Sequence, residues 1–182
     1  MQRLHPSVAA LFMLIGMLAP VSTVLRADQL TESRVKAAFL YNFTKFVVWP
    51  TSAFSSPRQP FTICVLDSGK FQEVVESGLD GKTIDGRQLR ARKLENPHDL
   101  SGCQVLFVSG PVSLKNSSLF SQPTPNILTV TESVPGAPAS GAMITLVLDS
   151  NRVRFIIDNR TAEKAGLSIS SKLLSLALQV QR

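Results

Sequence analysis

Arg34-Val35-Lys36-Ala37-Ala38-Phe39-Leu40-Tyr41-Asn42-Phe43-Thr44-Lys45-Phe46-Val47-Val48-Trp49-Pro50 decides how the rest of the chain must be arranged. Val35, Ala38, Phe39, Phe43 and Phe46 return at three- and four-residue steps, the spacing of one face of an α-helix. Ala37, Leu40, Tyr41 and Val48 make the other face nearly as apolar. A helix greasy on both sides has to be covered on both sides, which places it inside a layered domain. Thr31 or Ser33 is expected to cap its start, with Glu32 in the first turn. Pro50 stops the run and biases Trp49 out of the α region. The stretch holds the only Trp and the only Tyr of the chain. It reads first as a core helix; a second reading has part of its aromatic stripe line a ligand or partner surface.

Upstream, the composition changes. Arg3 precedes the uncharged run Val8-Ala9-Ala10-Leu11-Phe12-Met13-Leu14-Ile15-Gly16-Met17-Leu18-Ala19, and Ala27 precedes a polar stretch. A basic start, a short apolar run and a small residue before polar sequence describe a secretory signal peptide, here residues 1–27 with cleavage after Ala27. Leu25, three residues before that bond, fits poorly. The apolar run falls short of the roughly 20 residues of a membrane span, although an uncleaved N-terminal anchor is the other reading. The expected mature domain is 28–182, exported and soluble. Losing Arg3 and Arg26 lowers the basic residues from 19 to 17 against 13 acidic ones, and the net charge from +6 to +4. Only Arg87, Arg90, Arg92 and Lys93 cluster, as on a solvated strand face. An exported chain of this charge is not expected to bind nucleic acid.

Both cysteines, Cys64 and Cys103, lie in the exported part. An even count in an oxidising compartment points to one disulfide, with two buried free thiols as the alternative. Closing a loop of about 40 residues would stabilise the fold by roughly 4 kcal/mol, a large share of the roughly 5–15 kcal/mol of a whole domain.

In order along the chain, Phe61 to Asp67, Cys103 to Ser109 and Ile127 to Thr131 are short apolar runs suited to doubly covered strands. Phe71 to Leu79 reads as a helix, and Thr83-Ile84 with Arg87 to Leu94 as a hairpin about Asp85-Gly86. Pro111 to Phe120 reads as a weak helix or loop. Met143 to Leu148 and Val153 to Ile157 flank a turn-rich tip and read as a second hairpin. Thr161 to Ala165 is a helical turn or two ended by Gly166, and Ser170 or Ser171 caps a last helix through Leu173, Leu174, Leu176, Ala177 and Val180. The expected fold is one α/β domain: a mixed, mostly parallel sheet with helices on both faces and a C-terminal β-hairpin plus helix.

The reactive side chains are few. Beyond the leader there is one histidine, His98, beside Pro97. A triad needs an imidazole held by a carboxylate next to a nucleophile, and a catalytic zinc needs two or three His ligands. No catalytic residue, metal or cofactor is therefore assigned. Asp67-Ser68-Gly69 follows the first core strand and precedes a helix, where open α/β sheets bind anions, but it carries no phosphate-binding fingerprint. It reads either as a plain turn or, with Trp49, as the lining of a small-ligand pocket.

Several stretches together resemble one family. Val35 to Pro50 is similar to the opening "VKAAFLYNFAKFVEWP" block of the YfiR-like family, domain of unknown function 4154. Phe61 to Leu66, Gly81 to Ile84, Cys103 to Ser109, Ile127 to Val130, Ala142 to Ile144, Val153 to Phe155 and Ala165 to Leu174 continue the resemblance in order. It implies a small periplasmic protein without enzymatic activity. That protein binds the periplasmic sensor domain of an inner-membrane diguanylate cyclase and represses cyclic di-GMP synthesis, and so biofilm growth. It also implies an outer-membrane lipoprotein that sequesters the repressor; a homodimer is a further expectation. Cys64 and Cys103 match the family's main disulfide, and Ile144, Phe155 and Ile156 match a surface implicated in partner contact. The sequence departs where Ile156 follows Arg154-Phe155 in place of an acidic residue, and where no second cysteine pair stands near the hairpin. The alternative function is a periplasmic small-ligand-binding module feeding a membrane histidine kinase.

Overall fold

The computed structural model describes the backbone of residues 21–137 and 140–182, with side chains from Gln29 onward. The expected leader, residues 1–27, lies largely outside the described residues. Helix α1 spans Val21–Phe46. It begins ten residues before the expected caps because no Gly or Pro interrupts the sequence between Val21 and Phe46. Thr31 and Ser33 therefore lie inside the helix, and Glu32 pairs with Lys36 one turn on, at 2.5 Å. Val47–Val48 is not its last turn but strand β1. Two β-branched residues ahead of Trp49-Pro50 favour extended backbone. Among the described residues no helix is long and apolar enough to cross a membrane.

The remaining elements follow in chain order: β2 (Phe61–Leu66), α2 (Phe71–Leu79), β3 (Thr83–Ile84), β4 (Arg87–Lys93), β5 (Val105–Val108), α3 (Gly110–Lys115) and β6 (Leu128–Glu132). Then come β7 (Ile144–Asp149), β8 (Arg152–Asp158), α4 (Asn159–Lys164), β9 (Ser168–Ile169), α5 (Ser171–Leu176) and β10 (Gln179–Gln181). Eight strands form one sheet in the order β10-β8-β7-β6-β5-β2-β4-β3, and β1 pairs with β9 in a small antiparallel ladder. The pairs from β4 through β2, β5 and β6 to β7 are parallel, whereas β3–β4 and β7–β8 are antiparallel hairpins. The turn of the second hairpin, Ser150-Asn151, holds both residues at positive φ, 47° and 63°. That is the primed turn whose twist suits a two-residue hairpin.

The front face of the sheet carries α1, with α2 and α5 beside it. Ala37, Leu40 and Phe43 turn inward from α1, Val47 follows from β1, and all four are buried. Of the stripe expected from spacing, Phe43 alone is fully buried; Phe39 and Phe46 are half-buried, and Val35 and Ala38 are exposed. A helix apolar all round gives spacing no means of choosing which side meets the sheet. Phe43 packs edge-on to Phe155 at 5.4 Å between centroids and stacks on Phe39 at 5.9 Å. The back face is closed by a smaller cluster of Cys64, Leu66, Leu106, Val108, Phe120 and Ile127, beneath α3 and the 3-10 turn Ser117–Phe120. Cys64 and Cys103 are joined there by a disulfide, with their Cα atoms 5.8 Å apart.

The C-terminus departs from expectation. Ser170 does cap α5, its Oγ accepting from the amide of Leu173 at 3.3 Å. The helix ends at Leu176, however, and Val180 lies in β10, parallel to β8 at the sheet edge. Val180 pairs opposite Ile157, and the amide of Leu178 donates to the Phe155 carbonyl at 2.8 Å. The open edge of β8 offered unpaired backbone groups, and extending the sheet satisfies them.

Candidate partner-binding surface

Three of the residues singled out in the sequence belong to one hairpin, and the register separates them. Ile144 pairs with Ile157 and Leu146 with Phe155, so these four side chains share the front face and are buried. Ile144 is 0 % exposed and Phe155 3 %. Both are core residues that α1 covers. Ile156 pairs with Thr145 and points the other way, because side chains alternate along a strand. Of the three, Ile156 alone stands at the surface, and it is half-buried.

Around it lies the hairpin half of the back face, outside the small cluster beneath α3. Thr145 and Ile156, Val147 and Arg154, and Asp149 and Arg152 form successive cross-strand pairs there. Gln179 of β10 continues the row beside Ile156. Val147 and Ile156 belong to neither core cluster. Among the described residues Arg152 and Arg154 make no ion pair. The result is a strand surface with a small, half-buried apolar centre and two guanidinium groups. Sequence reasoning named Ile156 but missed Val147 and Arg154. The signal was present: alternation with Ile144 and Leu146 puts Thr145 and Val147 on the opposite face.

The residues expected to line a ligand pocket do not converge. Trp49 sits at the start of β2, its ring edge-on to Phe61 at 4.8 Å. Its Nε1–H donates to the Gln104 carbonyl at 3.1 Å. Gln104 is itself buried and fully used: its Oε1 accepts from the Thr62 amide at 2.8 Å and its Nε2–H donates to the Ala53 carbonyl at 2.9 Å. Asp67 lies past the other end of β2, roughly 17 Å away along a six-residue strand. Its Oδ2 accepts from the amides of Gly69 at 2.9 Å and Phe71 at 3.3 Å. The chain's own carboxylate thus occupies amides at the start of α2 that an anion would use. Asp67, Ser68 and Gly69 make a turn anchored by that carboxylate.

Half of the basic cluster holds loops in place. Arg87 donates to the carbonyls of Ser56 and Gln59 at 2.9 and 2.8 Å and lies 3.8 Å over the Phe54 ring. Arg92 pairs with Asp99 at 2.8 Å and donates to the carbonyl of Ser101. Arg90 and Lys93 remain exposed. His98 is exposed on its turn. Among the described residues no group of three or more His, Cys, Asp or Glu could hold a metal ion.

One charged cluster ties α1 to the sheet. Lys36 bridges Glu32 and, at 2.8 Å, Glu132 at the end of β6. Glu132 also accepts from the Gly110 amide at the start of α3, at 3.2 Å. Burial pulls the Lys36 ammonium down, but its hydrogen bonds to Glu132 and Glu32 outweigh that, and its pKa lies above the ordinary 10.5.

No curated protein matches this chain. A family model does, over residues 33–178, which takes in every element from the body of α1 to the start of β10. On that match the chain belongs to the YfiR/HmsC-like family.

Proposed function

We propose that this chain is a periplasmic negative regulator that binds the sensor domain of an inner-membrane diguanylate cyclase and holds cyclic di-GMP synthesis down. Membership of the YfiR/HmsC-like family supports a periplasmic regulator in diguanylate cyclase signalling. The observation that carries the finer reading is the hairpin half of the sheet. Val147 and Ile156, flanked by Arg152 and Arg154, stand half-buried on this strand face and belong to neither core cluster. A strand face with an apolar centre and a charged rim has the composition of a protein interface. An outer-membrane lipoprotein that competes for the regulator belongs to the same proposal, and export by the leader at 1–27 is part of it. Trp49 is consumed by structural contacts and stands far from Asp67; the reading as a small-ligand module is not pursued.

The test is genetic. Deleting the gene from its host should raise cyclic di-GMP, and restoring the wild-type chain should lower it again. An Ile156→Asp chain, exported and folded, should fail to restore it. Unchanged cyclic di-GMP on deletion, with the cyclase present, would overturn the proposal.

A further inference from the structure

A second surface lies on the opposite side of the molecule from the hairpin face. Helices α1 and α2 diverge to leave a groove of about 460 Å³. From α1 the groove takes Leu30, Arg34, Ala38 and Tyr41, one residue per turn along the same flank of the helix. From α2 it takes Val74, Ser77 and Gly78. Small residues hold the two helices close at its floor: a Cβ on Gly78 would come within 3.9 Å of the Ala37 Cβ. Above that floor Leu30 is 45 % exposed, and Ala38 is exposed as well.

The rim is mostly cationic. Lys45 and Lys82 stand over the Tyr41 ring at 4.1 and 4.8 Å, and Lys82 is anchored by donating to the Gly78 carbonyl. Arg34 closes the other end, and among the described residues Glu73 is the one acidic residue lining the groove. From Leu30 to Tyr41 the groove runs about 17 Å, three turns of a helix. An apolar trough of that length between two helices is the shape an amphipathic helix fills, anchored by residues at i, i+3, i+4 and i+7. The cationic rim selects the charge of the helix's flanks.

We propose that the α1–α2 groove docks an amphipathic helix with acidic flanks, presented by the regulator's protein partner. The partner rests on the regulatory reading above; the chemistry of the groove does not, and neither does it require the hairpin surface. The probe is a labelled synthetic peptide of roughly 14 residues, with leucines at helical spacing and glutamates on its flanks. A control peptide keeps the leucines and carries lysines instead. Fluorescence anisotropy with the full mature chain should show the glutamate peptide binding at least about tenfold more tightly than the lysine peptide. Arg34→Glu together with Lys82→Glu should reverse that order. Ala38→Trp, or Ser77→Trp from the other helix, should plug the groove and abolish binding while the melting temperature stays that of the parent. Equal affinity for both peptides, no binding of the glutamate peptide, or unchanged binding in both plugged variants would each overturn the proposal. In cells the two readings separate. Where deletion raises cyclic di-GMP but Ala38→Trp and Ser77→Trp both restore it normally, the groove is refuted and the cyclase reading stands. Where deletion changes nothing, the cyclase reading fails and the peptide titration still decides the groove.

Discussion

The two faces of the sheet are closed by different means. On the front, one long helix lays Ala37, Leu40 and Phe43 over Val130, Ile144 and Phe155, and apolar burial, with the ion pair from Lys36 to Glu132, holds the layers together. On the back, a six-residue helix and a 3-10 turn lie over the β2–β5–β6 half, a disulfide is built into that small cluster, and Val147 and Ile156 on the hairpin half stand outside it. A short cover buries too little apolar area to secure itself, and a crosslink supplies what burial does not. The same thinness leaves strand surface available for a partner. Stability is concentrated on the face opposite the hairpin surface proposed for the cyclase.

That contrast can be broken at several points. The largest effect is expected on the front: Phe43→Ala removes a fully buried ring between Phe39 and Phe155 and should cost roughly 3–5 kcal/mol, read as a fall in the urea midpoint. A loss under about 1 kcal/mol would mean that the front core is not the main source of stability. On the back, Cys64→Ser with Cys103→Ser, or reduction of the parent, should cost roughly 2–4 kcal/mol. That corresponds to a melting temperature lower by roughly 10 °C for a chain of this size. Identical melting of the parent and the double variant would remove the crosslink from the account.

The tie between the faces is smaller. Glu132→Gln, which weakens the anchor of Lys36 and the start of α3, should cost roughly 1–2 kcal/mol. Because the folded pKa of Lys36 is raised, its contribution is fully present below pH 10.5 and lost as pH climbs through the raised value. Stability of the parent should therefore fall across that alkaline window more steeply than that of Lys36→Met; parallel profiles would show that Lys36 is not linked to folding. The smallest effect on stability belongs to the hairpin surface. Arg154→Ala and Ile156→Asp should each cost less than about 1 kcal/mol while removing partner binding. A loss of several kcal/mol from either would mean that this face is structural.

Much of the architecture is legible in residues. Phe61 to Leu66, Val105 to Val108 and Leu128 to Glu132 are strands where the apolar runs stand, and Asp85-Gly86 turns the first hairpin. The disulfide matches the expectation drawn from an even pair of cysteines beyond the expected leader. The misses share one cause. The front face of α1, the strand at Val47–Val48 and the strand at Gln179–Gln181 are each fixed by what lies across from them: the sheet, β9 and β8. Gln104, an amide inside an apolar run, shows the same dependence, since its hydrogen bonds to Thr62 and Ala53 join segments more than 40 residues apart in sequence.

By itself, then, the sequence determined the inventory: which segments are apolar with period two or near 3.6, where the turns fall, and that two cysteines stand in or beside separate apolar runs. These are local properties, written in neighbouring side chains. Only the tertiary structure decided that Ile144 and Phe155 lie in the core while Ile156 looks outward, that Trp49 and Asp67 stand at opposite ends of one strand, and that α1 and α2 approach closely at Gly78. A one-residue step reverses the face of a strand side chain, and only pairing partners distant in the chain fix which face is covered.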